Sequence, residues 1–286
     1  MAQVLKGAPV VVAMNEAISR EAAALKTRGV EPTLAIVRVG EREDDIAYER
    51  GAMKRCEKVG VAVRQVLLPA DISQDDLVKE METLNRDKKV HGVLLFRPLP
   101  KHINDDAVRN ALAPQKDVDG ITDLSLAGVF ANTDTGFAPC TAQACMEILE
   151  HYGIGLTGKK AVVVGRSLVV GKPAAMMLLA RNATVTVCHT RTADMPAVCR
   201  EAEILIVSAG RAGIVDKGYL APGQIVIDVG INVKEDGSLC GDVNYADAEG
   251  IVAAVTPVPG GVGTVTTSVL VKHVVQAAQK QLEAQA

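Results

Sequence analysis

The segment AVVVGRSLVVGKP, residues 161–173, gives the clearest indication of fold in this chain. Four apolar residues lead into a turn that begins at Gly165 and ends at Gly171, and an amphipathic stretch follows. A strand, a glycine-bounded turn and a helix begin a Rossmann unit, in which phosphates bind at the amino terminus of the helix. The spacing of the two glycines differs from the GxGxxG fingerprint, so an ordinary turn between a strand and a helix remains an alternative.

The next apolar run indicates which nucleotide this turn would bind. A domain that binds NAD usually carries an acidic residue after its second strand, where it contacts the ribose 2′-hydroxyl. Here the sequence reads CHTRT at residues 188–192 and contains no acid. The guanidinium groups of Arg166 and Arg191 suit a 2′-phosphate, and the hydroxyls of Ser167 and Thr190 can donate to it. We therefore predict NADP as the cofactor, with a merely solvated Arg191 as the alternative.

Short apolar runs alternate with amphipathic segments along most of the chain. Several runs are apolar throughout, as strands buried on both faces of a parallel sheet are, and the alternation favours an α/β fold. The predicted strands are Leu34–Val39, Val61–Leu68, Val90–Phe96, Ala161–Val164, Ala183–Cys188, Ile204–Val207, Ile225–Val229 and Ile251–Val255. The predicted helices are Asp75–Leu84 behind a Ser73 cap, Thr141–His151, Pro173–Leu179 and Val265 to about Leu282.

Composition narrows the class of protein. A length of 286 residues suggests two domains, and 48% hydrophobic against 23% charged residues excludes disorder for the bulk of the chain. With 31 basic and 34 acidic residues, no nucleic-acid-binding surface is expected. No apolar run is long enough for a membrane span. The 6 cysteines lack CxxC or zinc-ligand spacing, so we predict no metal and a reducing, cytoplasmic location.

The regular alternation breaks between Pro114 and Pro139. This stretch is rich in Gly, Asp and Thr and has little periodicity. A loop of that length is usually a linker or a functional site. A helical stretch and a fresh strand at Ala161 follow it, so we predict a domain boundary near residue 140.

Several motifs occur together in one order. They are LAIVRVG (34–40) followed by Tyr48, KDVDG (116–120), PCT (139–141), VGRS (164–167), IDVGIN (227–232), GDV (241–243) and TPVPGGVG (256–263). In this order the chain resembles the methylenetetrahydrofolate dehydrogenase/cyclohydrolase family over essentially its whole length. KDVDG and TPVPGGVG are the most specific of these motifs.

The resemblance implies two α/β domains with a cleft between them. An N-terminal folate-binding domain would comprise residues 1–139 plus 266–286, and a Rossmann-type NADP-binding domain would comprise residues 140–265. It also implies a tetrahydrofolate substrate and a homodimer. No nucleic-acid or membrane partner is expected.

The resemblance also assigns roles to individual residues. Tyr48 would stack on the aminobenzoyl part of the folate and Asp119 would hold the pterin ring, so these two are the predicted catalytic residues. Pro259, Gly260 and Gly261 would line the cleft, and Ile231 would meet the cofactor. Without the resemblance, Asp119 is more simply interpreted as a turn former and Tyr48 as half-buried core.

The sequence departs from the family pattern at two catalytic positions. The usual bifunctional members carry a lysine four residues after the tyrosine and a glutamine in QLPLP. These positions are Ala52 and Phe96 here. Lys54 lies about 120° from Tyr48 around a helix, and Arg55 stays protonated, so neither is a plausible replacement base. Asp45 replaces a common serine, and Ala142 and Thr264 replace prolines.

These departures affect the family's two reactions differently. Removing a hydride from the methylene carbon needs alignment but no proton transfer, whereas hydrolysis of the methenyl product needs a tunable acid or base. We therefore predict an NADP-dependent methylenetetrahydrofolate dehydrogenase with weak or absent cyclohydrolase activity, working beside a separate cyclohydrolase. The alternatives are an ordinary bifunctional enzyme and a folate-binding protein without turnover, the latter disfavoured by the intact nucleotide motif.

Overall fold

Two parallel sheets organise the chain in the computed structural model, which describes residues 1–284. The strands are β1 (Gln3–Val4), β2 (Thr33–Val39), β3 (Ala62–Leu68), β4 (Gly92–Leu95), β5 (Lys160–Val164), β6 (Thr184–Cys188), β7 (Ile204–Val207), β8 (Ile225–Asp228), β9 (Asn232–Val233), β10 (Leu239–Cys240) and β11 (Ala254–Val255). The helices are α1 (Gly7–Thr27), α2 (Glu43–Val59), α3 (Gln74–Arg86), α4 (Asp105–Ala111), α5 (Asp123–Ala131), α6 (Cys140–His151), α7 (Gly171–Leu179), α8 (Met195–Arg200), α9 (Tyr245–Ile251) and α10 (Val262–Glu283). No helix in the described part of the chain is both long and apolar enough to cross a membrane.

The chain divides into two units, which we name by their sheets. The six-stranded unit comprises Met1–Val12 and Thr141–Thr266, and the three-stranded unit comprises Ala13–Cys140 and the chain from Thr267 onward. The first twelve residues were expected in the other domain. They group with the six-stranded unit because β1 adds to the edge of its sheet, in parallel register with β11.

The six-stranded sheet has the order β1-β11-β8-β7-β5-β6 with every pair parallel. From β5 the chain adds β6 on one side and then returns to add β7 on the other. In open α/β sheets, ligands bind at such a switch point, outside the carboxyl ends of the strands. We therefore expect a nucleotide site at the turns after β5 and β7.

The three-stranded sheet has the order β3-β2-β4, also parallel. The central strand β2 is buried at every position from Leu34 to Val39. Helix α3 packs Leu77, Met81 and Leu84 into the core that the sheet shares. The predicted Ser73 cap is confirmed, because its hydroxyl accepts a hydrogen bond from the Asp76 N–H at 3.1 Å.

Some helices and strands of the structure were not predicted from the sequence. Helix α1, the short antiparallel pair β9–β10 and helix α5, inside the stretch expected to be a loop, are all present. The apolar residues of α5 do not form one buried stripe, since Leu124 and Phe130 are exposed, so it lacks a helical pattern. The last predicted strand is shorter, because Ile251 ends helix α9 and only Ala254–Val255 pair with β8.

A buried ion pair ties helix α2 to the three-stranded sheet. The Arg38 Nε of β2 donates to the Glu49 carboxylate of α2 at 2.9 Å, and both side chains are almost fully buried. Gln65 of β3 donates to the same carboxylate, and Arg38 also donates to the Gly40 carbonyl. Glu49 follows Tyr48 directly, so this contact fixes the part of α2 that carries the tyrosine.

We expect Glu49→Ala to lower the free energy of unfolding by about 3–5 kcal/mol, because Arg38 would remain buried without its counter-charge. Urea-induced unfolding followed by circular dichroism measures this loss. The matched control is Lys79→Ala, which removes the exposed Lys79–Asp76 pair and should leave stability nearly unchanged. Equal losses in the two variants would contradict the interpretation.

Candidate functional site

The turn after β5 is shaped by its two glycines. Gly165 has a φ of +118°, and a Cβ there would overlap the Ser208 carbonyl that follows β7. A Cβ on Gly171 would overlap the carbonyl of Gly165. The Ser167 hydroxyl accepts from the N–H groups of Val170 at 3.2 Å and Gly171 at 3.4 Å. Its own hydrogen is therefore left to donate outward.

The loop after β6 lies at the same sheet edge. Val164 and Cys188 are register partners at the ends of β5 and β6, so the loops that follow begin side by side. Within the second loop, His189 Nδ1 accepts from the Arg191 N–H at 3.1 Å. Thr192 Oγ1 accepts from the His189 N–H at 2.9 Å. His189 and Thr192 thus shape this loop, a role that their presence in CHTRT did not reveal.

The predicted nucleotide residues lie on the two loops at this edge. Arg166, Ser167, Thr190 and Arg191 are all exposed there. Neither arginine has a carboxylate partner among residues 1–284. A glycine cradle open to a phosphate, together with two unpaired guanidinium groups and no acid, fits a dinucleotide that carries an extra phosphate.

A cavity of about 210 Å³ adjoins the ends of β8 and β11 in the same unit. Ile231, Pro259, Gly260 and Gly261 line it, so residues selected from two separate motifs face one space. The Ile231 side chain is 61% exposed, as expected of a residue that would meet a ligand. Gly260, with a φ of +100°, accepts a hydrogen bond from the Gly7 N–H at 2.8 Å, which anchors the turn to helix α1.

The site residues of the three-stranded unit gather around Tyr48. Its ring meets Phe96 edge-on, with 5.8 Å between ring centroids and an interplanar angle of 85°. Tyr48 is 39% exposed, so the core does not enclose it. Partial burial, and then the nearby Asp119 and Cys140, raise the pKa of the Tyr48 hydroxyl. Tyr48 and Asp119 therefore lie close enough to interact electrostatically.

The two aspartates of the KDVDG loop have different roles. Asp117 is fully buried, and its carboxylate accepts from the Ile121 N–H at 2.9 Å, the Thr122 N–H at 2.8 Å and the Ser125 hydroxyl at 2.6 Å. The turn-forming role that was open for Asp119 thus belongs to Asp117. Lys116 Nζ braces the loop by donating to the Leu84 and Asp87 carbonyls.

Gly120 explains why Asp119 lies beside Cys140. Its φ is +68°, and a Cβ there would lie 2.5 Å from the Pro139 nitrogen. Only a glycine allows the loop to approach the 137–139 backbone so closely. The Cys140 thiol then reaches the Asp119 carboxylate and the Val118 carbonyl, the latter at 3.2 Å. His273 Nδ1 meets the same carbonyl at 2.9 Å.

Burial raises the pKa of Asp119 to about 6. The Cys140 hydrogen bond opposes this rise, Asp117 adds to it, and Arg97 opposes it. Arg97 is held by Asp105, whose Oδ1 accepts from Nε at 2.6 Å. Cys140, in the PCT motif, and Arg97, directly after Phe96, were missed as site residues, since a lone cysteine resembles ordinary core.

Neither Lys54 nor Arg55 supplies a replacement base at positions 52 and 96. Ala52 is fully buried and Phe96 is nearly so. Lys54 is exposed, as its helical angle predicted. Arg55 donates to the Asn15 Oδ1 at 3.4 Å, and burial lowers the pKa of its guanidinium.

The sequence matches one protein family along most of its length. Residues 5–119 match the catalytic domain of tetrahydrofolate dehydrogenase/cyclohydrolase, and residues 139–282 match its NAD(P)-binding domain. The bifunctional protein FolD of Carboxydothermus hydrogenoformans is 52% identical over 281 residues, covering 98% of each chain. FolD of Clostridioides difficile is 47% identical over 279 residues, covering 98% of this chain and 97% of its own.

Solved structures agree as well. The FolD methylenetetrahydrofolate dehydrogenase/cyclohydrolase of Campylobacter jejuni has a TM-score of 0.95 at 36% identity, covering 98% of this chain and 99% of its own. The Trypanosoma brucei enzyme, solved with NADP and an inhibitor, has a TM-score of 0.90 at 34% identity and covers 98% of each chain. The predicted α/β fold is confirmed. The chain belongs to the tetrahydrofolate dehydrogenase/cyclohydrolase family.

Proposed function

We propose that this chain oxidises 5,10-methylenetetrahydrofolate to 5,10-methenyltetrahydrofolate with NADP, and hydrolyses the methenyl product weakly or not at all. One observation carries the second half of the proposal. Beside Tyr48, the two positions where the family pattern has a lysine and a glutamine hold a buried methyl group and a phenyl ring, Ala52 and Phe96.

Hydride removal asks little of an acid or base. The nitrogen lone pairs of the substrate stabilise the cation that forms, so positioning supplies most of the catalysis. NADP, when bound, supplies the hydride acceptor. The exposed face of Tyr48 can stack on the aminobenzoyl ring, and the Asp119 carboxylate can accept hydrogen bonds from the pterin. Both groups are present in the three-stranded unit.

Hydrolysis of the methenyl product, in contrast, needs groups that transfer protons. Water must add to the methenyl carbon and lose a proton, and one nitrogen must leave in protonated form. Ala52 can neither take nor give a proton, and Phe96 cannot orient a water molecule. The proposal therefore requires a separate enzyme to open the methenyl product.

NADP preference rests on the loop after β6. Arg191 and Arg166 are cations without a carboxylate partner in the described chain, and residues 188–192 contain no acid to receive a ribose 2′-hydroxyl. An added phosphate would satisfy both guanidinium groups with charge-assisted hydrogen bonds.

The ordinary bifunctional enzyme is the second candidate, and two observations favour it. The relatives compared above are named bifunctional. In addition, Asp119 has a pKa raised to about 6, close to the working pH that suits a general base. In that case Asp119 would activate the water in place of the lysine. A folate-binding protein without turnover would have no use for the NAD(P)-binding domain.

We expect Arg191→Ala to raise the NADP Michaelis constant about ten-fold or more, because a lost charge-assisted contact costs roughly 1.5–3 kcal/mol. NAD use should stay nearly unchanged, since NAD has no 2′-phosphate. Initial rates with each cofactor test this, with Arg200→Ala in α8 of the same unit as the matched control. Equal use of NAD and NADP by the wild type would refute the preference.

Asp119→Ala should abolish dehydrogenase turnover while NADP binding and the melting temperature change little. Asp117→Ala should instead lower the melting temperature, because it removes three hydrogen bonds that shape the loop. In the wild type, protonation of Asp119 below about pH 6 should raise the Michaelis constant for the folate. Steady-state kinetics and thermal unfolding separate these effects; an Asp119 variant that melts early and loses NADP binding would support a structural role instead.

The methenyl product should accumulate during NADP reduction and decay no faster than in buffer. Loss of acid–base assistance typically costs about 10²–10⁴-fold in rate, so spontaneous hydrolysis would dominate. Adding the protein to preformed methenyltetrahydrofolate and following its absorbance isolates this step.

The reverse change is Ala52→Lys combined with Phe96→Gln, which should recover part of the hydrolysis. Ala52→Lys alone serves as the comparison, because it places the amine against a phenyl ring. Rapid enzyme-dependent decay with the wild type, rising with pH through about 6, would favour the bifunctional candidate with Asp119 as base.

A further inference from the structure

Two buried aspartates of the six-stranded unit have not entered the mechanism. Asp228 ends strand β8, and Asp242 lies in the GDV motif after β10. Both side chains are at least nine-tenths buried, at 3% and 0% exposure. Carboxylates this deeply buried are costly unless hydrogen bonds satisfy them, so their partners indicate what they hold.

Asp242 gathers the loop that follows β7. Its Oδ2 accepts from the N–H groups of Ala209 at 2.6 Å and Gly210 at 2.8 Å, and its Oδ1 accepts from the Arg211 N–H at 2.9 Å. Asn232 Nδ2 donates to the same Oδ1 at 2.9 Å. One carboxylate thus holds three consecutive amides at the switch point and the residue directly after Ile231.

Asp228 holds the other side of Ile231. Its Oδ1 accepts from the N–H groups of Gly230 and Asp242, each at 3.0 Å, and its Oδ2 accepts from the Val243 N–H at 2.9 Å. The fit is tight, because a Cβ on Gly230 would overlap the Asp242 carboxylate and one on Gly241 would overlap that of Asp228. Ile231 therefore lies between two residues that are each bound to a buried carboxylate.

We propose that Asp242, supported by Asp228, is a positioning residue for hydride transfer: it fixes Ile231 and the 209–211 loop against the nicotinamide end of the cofactor. The proposal rests on the dehydrogenase function and on the predicted contact of Ile231 with the cofactor. Ile231 lines the cavity with the 257–264 turn, and its Cδ1 would lie 3.2 Å from a Cβ built on Gly263. The arginines that would bind the 2′-phosphate lie on other loops, after β5 and β6.

This separation gives the proposal a distinctive signature. Loosening the clamp should misalign the nicotinamide without weakening the grip on the phosphates. Asp242→Asn leaves a single acceptor oxygen for four donors and turns an NH₂ group toward N–H groups. Asn232→Ala removes only the side-chain link beside Ile231 and leaves the buried carboxylate with its three backbone partners, so it tests the clamp with little threat to folding.

The experiment compares both variants with Asp247→Asn, an aspartate of the same unit that accepts from the Lys217 N–H at 3.1 Å and lies outside the clamp. NADPH affinity is measured by titration, and the order of the nicotinamide by the fluorescence lifetime of bound NADPH. NADP reduction is followed with saturating methylenetetrahydrofolate, unlabelled and deuterated at the methylene carbon.

In both clamp variants we expect a shorter nicotinamide lifetime, a kcat about 10- to 100-fold lower with a larger deuterium isotope effect, and an NADPH Kd within about two-fold of the wild type. The control should match the wild type. A wild-type lifetime and kcat in Asn232→Ala would overturn the proposal, as would an NADPH Kd that weakens in step with kcat. If Asp242→Asn does not fold, Asn232→Ala alone decides.

The proposed function can fail separately. A wild type that binds NADPH but cannot reduce NADP would refute the dehydrogenase, while the lifetimes of bound NADPH would still test the clamp. Hydrolysis of the methenyl product by the wild type would affect only the claim about cyclohydrolase activity.

Discussion

Buried carboxylates bound to backbone amides hold the loops that carry the candidate site. Where a strand or helix ends, its amides lose their regular partners, and an unpaired amide in the interior is costly. Asp117 serves this purpose in the three-stranded unit, and Asp228 and Asp242 serve it in the six-stranded unit. In each case one carboxylate accepts hydrogen bonds from several backbone N–H groups at once. Asp119 and Ile231 lie within two residues of groups that these carboxylates hold, so their backbone is fixed while their own side chains take no part in those hydrogen bonds.

As a result, residues that stabilise the fold and residues of the candidate site lie within one or two positions of each other along the chain. Asp117 and Asp119 lie two residues apart, yet one is satisfied by its own loop and the other faces Tyr48 and Cys140. The same separation occurs on helix α2, where Glu49 is buried and paired with Arg38 of β2 while Tyr48 is partly exposed. Ala52 and Phe96 can therefore differ from the family pattern without disturbing the Arg38–Glu49 pair or the hydrogen bonds of Asp117 that hold this part of the unit.

The parallel α/β architecture could be predicted from the sequence because many of its strands are buried on both faces. Such strands are apolar at successive positions and therefore appear as continuous apolar runs. Strand β7 has the predicted limits, and the motif after β5 led directly to the glycine turn. Helix α5 was missed because its apolar residues are partly exposed, and β1 because a two-residue strand has no periodicity. The division of roles between Asp117 and Asp119 depends on which carboxylate reaches the buried amides, and Cys140 enters only through the close approach at Gly120. Spacing along the chain does not encode either contact.

The pairing of β1 with β11 bears on the order in which the molecule assembles during synthesis. Gln3 and Val4 are synthesised well before their partners Ala254 and Val255, which lie far along the chain. Contacts so distant along the chain form late, because the intervening loop must close before they yield any stabilisation. Until then the nascent strand has unpaired backbone groups that could recruit another chain, and its length of two residues keeps that hazard small.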